Sequence, residues 1–182
     1  MNGVGAFVGL GANLGDAAAT LHAALRELDV LPQTRLRRAS RLYRTPAWGG
    51  VLHEGKPQPD YLNAVAEVTT RLTARELLDG LLAIERRHGR DRRREQRWGP
   101  RTLDLDLLLH GDAQIDDASM EAGGLRVPHP LMHRRAFVLL PLLEIAPEAV
   151  IPGFGPARNA VSALETGELS NIVPLSVDNA RP

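Results

Sequence analysis

The spacing of apolar residues in the first third of the chain alternates between strand and helix periods. Residues 4–10 form a short apolar run that ends among glycines, the pattern of a buried strand entering a loop. A helix is predicted between its N-cap Asp16 and Pro32, with an apolar face of Leu21, Ala24, Leu25 and Leu28. Residues 35–45 predict a strand with a polar face, and residues 47–60, rich in glycine and proline, predict a long irregular loop.

The same alternation continues through the middle of the chain. Residues 61–70 predict a strand with at least one buried face. A capping box of Thr73 and Glu76 begins the next helix, which ends near Gly89 and carries the apolar residues Leu77, Leu78, Leu81, Leu82 and Ile84. Another strand is predicted over residues 103–109, where leucines alternate with two aspartates.

The C-terminal part of the chain predicts shorter elements. Gln114 and Ile115 are expected to pair back as a short strand, and residues 132–145 predict a helix that Pro141 kinks or splits. A short helix is expected at residues 157–164.

This order of elements predicts an α+β fold. Strand, helix, strand, strand, helix, strand is the ferredoxin-like arrangement: an antiparallel sheet with a βαββαβ core and helices packed on the sheet. An extra C-terminal helix and short strands would be additions to it. We expect one domain over residues 1–182, with a core at about residues 4–165 and a poorly ordered tail at residues 166–182.

Composition excludes several classes of function. The chain of 182 residues has 22 basic and 22 acidic residues and a formal net charge of +0, so no overall field draws it to nucleic acid or to a membrane. It has no cysteine, which excludes disulfides and thiolate metal sites. No secretory leader or membrane-spanning run is evident, and we expect a cytoplasmic protein.

Two aspartates are the first candidate for chemistry. Successive side chains of a strand point to opposite faces, so Asp104 and Asp106 share one face. Magnesium binds through one or two carboxylates and leaves its other positions to water and substrate phosphates, so this pair suits a nucleotide site. The alternative is an amphipathic strand with one solvated face.

The arginine-rich segment before these aspartates is the second candidate. Guanidinium groups offer forked donors to phosphate oxygens and keep their charge, and the segment contains Arg90, Arg92, Arg93, Arg94, Arg97 and Arg101. The alternative is a solvated surface on which Glu85, Asp91 and Glu95 pair with the arginines. Against it, Gly89, Gly99 and Pro100 indicate a shaped loop rather than an exposed helix.

Aromatic and histidine residues supply the third candidate. Trp48, Tyr61 and Phe137 offer rings for stacking, and Asn63 lies on the same strand face as Tyr61, as a flat heterocycle requires. The alternative for Phe137 is ordinary core packing. His129 lies between two prolines, and a histidine in such a fixed turn can donate to a phosphate or bind a metal. The alternative is a structural hydrogen bond, which is the more common role of a lone histidine.

Six segments of this sequence resemble the 6-hydroxymethyl-7,8-dihydropterin pyrophosphokinases. They lie in order between about residues 5 and 150, and their strings are G-L-G-A-N-L-G-D, L-Y-R-T-P, D-Y-L-N-A, R-W-G-P-R-T-L-D-L-D, V-P-H-P and residues 135–147. The resemblance implies transfer of pyrophosphate from ATP to the pterin hydroxymethyl group, with release of AMP, in folate biosynthesis. It also implies two magnesium ions and an in-line displacement.

The resemblance assigns roles to residues of this chain. Asp104 and Asp106 match the metal ligands. Residues matching ATP contacts are Arg90, Arg92, Arg97, Arg101, His129 and Arg135; of these, Arg90, Arg92 and Arg101 join the two aspartates as catalytic residues. Residues matching the pterin pocket are Thr45, Pro46, Ala47, Trp48, Tyr61, Asn63, Trp98 and Phe137. The arginine segment is one residue longer than usual before Arg97, so Arg92, Arg93 and Arg94 remain alternatives for the second loop arginine.

Two other functions remain open from sequence alone. A module that binds single-stranded nucleic acid could use the arginines and aromatics, although the neutral net charge argues against it. A regulatory relative could bind pterin or nucleotide without turnover, although both aspartates are retained. We expect a monomer whose partners are ATP and the pterin, not nucleic acid or a membrane.

Overall fold

The computed structural model describes residues 3–47, 57–90, 99–117 and 124–176. Its strands are β1 (Val4–Ala12), β2 (Thr34–Ala39), β3 (Tyr43–Thr45), β4 (Tyr61–Thr70), β5 (Asp104–His110), β6 (Ile115–Asp117), β7 (Leu125–Val127), β8 (Val150–Ile151), β9 (Gly155–Pro156) and β10 (Val173–Pro174). Its helices are α1 (Ala17–Asp29), α2 (Ala74–Arg87), α3 (Ala136–Ile145), α4 (Ala157–Ser162) and α5 (Thr166–Ser170), with a 3-10 turn at Met132–Arg134.

One antiparallel sheet organises these elements. Its strand order is β10-β3-β4-β1-β5, and β2 also pairs with β4. The strands β2 and β3 share one edge of β4, with β2 at the Thr70 end and β3 at the Tyr61 end. The prediction of a mixed α+β fold with an antiparallel sheet and packed helices is therefore confirmed.

Helices cover both faces of the sheet. On one face, α1 and α2 contribute Leu21, Leu28, Leu77 and Leu81 to a core shared with alternate residues of β1, β4 and β5. On the other face, α3 and α4 pack against residues such as Val65 and Leu108. The middle of β4, residues 63–66, is buried on both faces, which agrees with the apolar run at residues 64–66.

The predicted helix starts are confirmed. The Asp16 carboxylate accepts the Ala19 N–H at 2.9 Å, as an N-cap does. At α2, the Thr73 hydroxyl accepts the Glu76 N–H at 3.2 Å, and the Glu76 carboxylate accepts the Thr73 N–H at 2.8 Å, which completes the capping box. None of the helices formed by the described residues is long and apolar enough to cross a membrane.

The strand predicted over residues 35–45 is divided into β2 and β3. Ser40 lies between them, and its hydroxyl accepts the Val65 N–H at 3.0 Å while its own N–H donates to the Val65 carbonyl at 2.9 Å. A side chain thus replaces a backbone acceptor in the ladder. Local side-chain bonding of this kind competes with regular strand pairing, which explains the interruption.

The structure changes two other predictions. Ile115 belongs to β6, which pairs with β7 rather than back onto β5. The helix predicted over residues 132–145 divides at Arg135, whose backbone is extended, and not at Pro141, which lies within α3. Proline within a helix removes one hydrogen bond, yet α3 continues through Pro141, which is buried.

The tail also differs from the poor order expected after residue 165. Residues up to 176 include α5 and β10, and β10 pairs with β3 at the edge of the sheet. Leu175 packs on the core and donates its N–H to the Leu42 carbonyl at 2.8 Å. These contacts offset the conformational entropy lost when residues 166–176 become ordered. The sequence of this segment, which contains Gly and Pro, did not predict them.

Candidate active site

Two glycines of β1 form the floor of the site. Gly11 is paired with Asn63 on one side and with Asp104 on the other, and Gly9 is likewise paired with Asp106. Neighbouring strands are about 4.8 Å apart, so the Asn63 and Asp104 backbones lie about 10 Å apart with no side chain between them. A methyl group at residue 11 would lie 3.1 Å from Asn63 Oδ1. A side chain at Gly11 would therefore crowd the Asn63 amide, and a Cβ at Gly9 would lie 3.5 Å from the Leu108 side chain.

Asp104 is held between two arginines. Arg90 Nη1 donates to one carboxylate oxygen and Arg101 Nη1 donates to the other. The Arg90 side chain is only 4% exposed, whereas that of Arg101 is 27% exposed. Asp104 is thus oriented from both sides, and Arg101 is the one of the two that solvent or a ligand can reach.

Glu85 fixes the buried arginine. Its Oε1 accepts Arg90 Nη1 at 2.5 Å and the Leu105 N–H at 2.8 Å, and its side chain is 2% exposed. A buried carboxylate is stable only when it is paired and hydrogen-bonded, which these two donors achieve. Glu85 therefore ties the end of α2 to the start of β5.

Asp106 faces a second pair of basic groups at longer range. Its Oδ2 lies 3.8 Å from His129 Nε2 and 3.6 Å from Arg135 Nη1. Both separations exceed a direct hydrogen bond. The cluster thus combines two donors that suit phosphate oxygens with a carboxylate that suits a cation.

His129 is set up as a neutral donor. Burial lowers the pKa of His129 below its ordinary value, although the nearby Asp106 carboxylate acts in the opposite direction. Its Nδ1 accepts the Leu131 N–H at 3.2 Å, so the proton of the neutral ring lies on Nε2, on the side of Asp106. The main chain at His129 is held by its N–H, which donates to the Leu108 carbonyl at 2.9 Å.

Asn13 joins the two sides of the site. Its Oδ1 accepts the Arg101 N–H at 2.8 Å, and its own N–H donates to the Arg101 carbonyl at 3.0 Å. Its Nδ2 donates to Gln58 Oε1 at 3.2 Å and to the Pro59 carbonyl at 3.1 Å. One buried amide at the end of β1 thereby positions the backbone before β4 and before β5.

The aromatic end of the site begins at β4. Asn63 Nδ2 donates to Thr45 Oγ1 at 2.8 Å, and both residues are buried. The Tyr61 hydroxyl donates to the Gly99 carbonyl at 2.8 Å. Across the site, the Arg135 guanidinium lies 5.6 Å from the centre of the Phe137 ring, within cation–π range. Arg135 thus contacts both the ring and the Asp106 carboxylate.

The carboxylates fit a magnesium site that substrate completes. In the described part of the chain, no group of three or more His, Cys, Asp or Glu side chains can hold a metal ion. Two carboxylates on one strand face are sufficient for Mg²⁺ only when phosphate oxygens and water fill the remaining positions. The donor set therefore agrees with a metal that arrives with a polyphosphate.

The 7,8-dihydro-6-hydroxymethylpterin-pyrophosphokinase (HPPK) model matches residues 7–147, more than half of the chain. The chain belongs to the HPPK family. The family assignment and the pyrophosphokinase class that the sequence motifs implied are confirmed.

Three relatives with one shared name match most of this chain. A 2-amino-4-hydroxy-6-hydroxymethyldihydropteridine pyrophosphokinase from Synechocystis is 41% identical over 172 residues, 94% of this chain and 80% of the relative. The protein of the same name from Haemophilus influenzae is 44% identical over 147 residues, 81% of this chain and 84% of the relative. A third, from Methylorubrum extorquens, is 41% identical over 167 residues, 92% of this chain and 98% of the relative.

Solved structures of HPPK-DHPS proteins share the fold. The Plasmodium falciparum HPPK-DHPS wild type with pterin and p-hydroxybenzoate has a TM-score of 0.68 and 15% identity, and covers 88% of this chain and 43% of that chain. An HPPK-DHPS structure in complex with substrates has a TM-score of 0.65 and 12% identity, and covers 88% and 43%. This chain therefore spans less than half of these longer proteins.

Most of the residues that the HPPK resemblance selects come together around the glycine floor. They are Thr45, Tyr61, Asn63, Arg90, Arg101, Asp104, Asp106, His129, Arg135 and Phe137. Pro46 and Ala47 follow Thr45 at the end of β3. Trp48, Arg92, Arg97 and Trp98, with the alternatives Arg93 and Arg94, lie outside the described residues.

Sequence reasoning missed the residues that support this set. The sequence named Glu85 only under the alternative of a solvated surface with arginine pairs. It does pair with an arginine, but it lies on the buried stripe of α2, four residues after Leu81 and eight after Leu77. A carboxylate at that spacing is the signal for a buried ion pair. For Asn13 and Gly11, the glycine-rich string marked a turn but not the contacts across the sheet.

Proposed function

We propose that this HPPK family member transfers the terminal pyrophosphoryl group of ATP to the hydroxymethyl group of 6-hydroxymethyl-7,8-dihydropterin and releases AMP. In this reaction the hydroxymethyl oxygen bonds to the β-phosphorus, and the bond from that phosphorus to the bridging oxygen of AMP breaks. The hydroxyl proton leaves to solvent. The row of Asn63, Gly11 and Asp104 supports the proposal, because it pairs the residue assigned to the pterin and the residue assigned to the metal with the two sides of one glycine.

The nucleotide half of the site uses charge. Arg101 and Arg135 offer forked donors to phosphate oxygens, and the neutral His129 donates from Nε2. Arg90, buried behind Asp104, keeps that carboxylate oriented and charged. When bound, two magnesium ions held by Asp104 and Asp106 would neutralise phosphate charge and align the groups for in-line displacement.

The pterin half of the site uses shape and one amide. Tyr61 and Phe137 provide rings for stacking, and Thr45 takes one hydrogen of the Asn63 amide, which fixes the orientation of the other. Because the Asn63 amide is fixed before a ligand enters, binding of a heterocycle costs little conformational entropy in this side chain. Pro46 and Ala47 extend the wall of the same pocket.

We also propose that the core is ferredoxin-like. The elements β1, α1, β2 with β3, β4, α2 and β5 follow the order of the split β-α-β arrangement. If β2 and β3 are counted as one interrupted strand, the order across the sheet is that strand, then β4, β1 and β5. All of these neighbours are antiparallel, as that class requires.

AMP release tests the reaction. Purified protein given ATP, Mg²⁺ and 6-hydroxymethyl-7,8-dihydropterin should release AMP in proportion to the pterin consumed. Chromatography of the nucleotides measures this, with a reaction that lacks pterin as the control. AMP no higher than in that control, together with saturable pterin binding, would instead identify a regulatory relative without turnover.

Loss of one ring tests the pterin pocket. Phe137→Ala should raise the KM for the pterin by about tenfold, because a stacked ring contributes its buried area and its π contact. The KM for ATP should change less. The matched control is Phe154→Ala, which removes an exposed phenylalanine between β8 and β9. Equal effects of the two substitutions on the pterin KM would remove Phe137 from the pocket.

A further inference from the structure

An open groove of about 760 Å³ lies at the end of the sheet opposite the aspartates. The ends of α1 and β4 and the start of β2 form it, and its lining includes Arg35, Arg37 and Arg71. Thr70, also in the lining, is seven residues from Asn63 on β4, which at about 3.3 Å per residue is about 23 Å. The groove is therefore separate from the pyrophosphokinase site.

The three arginines are not paired with a carboxylate of the described residues. All are exposed, and none forms an ion pair with another described residue. The adjacent Arg38, by contrast, forms an ion pair with Glu67. The chain as a whole has a formal net charge of +0, so the groove is a local positive region on a balanced protein.

The backbone places all three arginines along one side of the groove. The Arg71 N–H donates to the Gln33 carbonyl at 3.0 Å, which fixes the end of β4 beside the start of β2. Arg35 and Arg37 are two residues apart on β2, a spacing at which strand side chains share a face. Both line the groove.

The one acidic group in the lining, Asp29, offsets one of the three positive charges, so three minus one leaves a formal excess of two. Asp29 Oδ1 accepts the Leu36 N–H at 2.9 Å, so this carboxylate already has a fixed role at the end of α1. The same bond occupies a backbone donor of β2 that an added strand would need. The contact therefore favours a compact ligand over an extended peptide.

We propose that this groove binds a small polyanion through Arg35, Arg37 and Arg71. Guanidinium groups recognise phosphate and carboxylate by the same forked donors, so the ligand carries at least two such groups. A volume of about 760 Å³ lies within the usual range for small-molecule sites. Binding here leaves the pterin and ATP site free.

Amide NMR of the intact protein separates this groove from the active site, which also binds phosphates. Tripolyphosphate and citrate are titrated separately, with sodium chloride holding ionic strength constant. We expect saturable shifts at the Leu36 and Arg71 amides. A response to tripolyphosphate alone assigns the groove to phosphate ligands, and a response to both assigns it to polyanions in general.

Variants decide whether the arginines cause the binding. The Arg35→Ala/Arg37→Ala double variant, and separately Arg71→Ala, should weaken binding at these amides by about tenfold. Arg26→Ala, which removes an exposed arginine of α1 outside the groove, should bind as the wild type does. AMP release should be unchanged in all three. Absence of saturable shifts with either probe, or equal binding by the double variant and Arg26→Ala, would overturn the proposal.

Discussion

Asp106→Asn is expected to lower the rate of AMP release by about 100- to 1,000-fold. Asparagine keeps the size of the side chain but removes the negative charge that would attract a magnesium ion between the two substrates. Asp106 is the better position for this test than Asp104, because its basic neighbours lie at 3.6 and 3.8 Å and do not depend on it for a direct hydrogen bond. Initial rates at saturating ATP and pterin measure the effect.

The control for this substitution is Asp112→Asn. Asp112 is exposed in the turn after β5 and lies away from the glycine floor, so its rate should equal that of the wild type. Pterin binding by Asp106→Asn, followed by the quenching of ligand fluorescence, should change far less than the rate. If Asp106→Asn turns over as fast as Asp112→Asn, the metal role of Asp106 is wrong.

Glu85→Ala is expected to lower the free energy of unfolding by about 3 kcal/mol. The substitution leaves the Arg90 guanidinium buried with one partner fewer and the Leu105 N–H without its acceptor, and breaking a buried pair from one side is strongly destabilising. Urea denaturation measures the change. The rate of AMP release should also fall, since Arg90 orients Asp104.

The matched control removes a carboxylate from an exposed ion pair. Glu67 pairs with Arg38 on the surface of the sheet, where the Arg38 side chain is 56% exposed. Solvent screens such a pair, so Glu67→Ala should cost less than about 1 kcal/mol. Similar losses for the two substitutions would show that Glu85 contributes only as a surface charge would.

Periodicity was sufficient to predict the local parts of this site. The alternation of leucine and aspartate in β5 places Asp104 and Asp106 on one face, because a strand has a period of two residues. The capping box at Thr73 and the N-cap at Asp16 predicted two helix starts for equally local reasons. Family motifs then gave a chemical role to residues that patterning alone left ambiguous.

The features that the sequence could not predict depend on contacts between elements that are far apart in the chain. The register that sets Gly11 between Asn63 and Asp104 depends on three strands distant in sequence, and no local pattern encodes it. The burial of Glu85 likewise depends on how α2 packs beside β5. The break at Ser40 required knowledge that its hydroxyl meets Val65.

The position of β1 at the centre of the sheet has a consequence for biosynthesis. This strand precedes both of its partners in the chain, and β4 and β5 begin only at residues 61 and 104. Closing those long loops is the slow part of forming such a sheet. A nascent chain that ends before Asp104 can pair β1 with β4 and assemble the Asn63 side, yet it lacks both carboxylates. The two sides of the candidate site can therefore come together only after β5 has been synthesised.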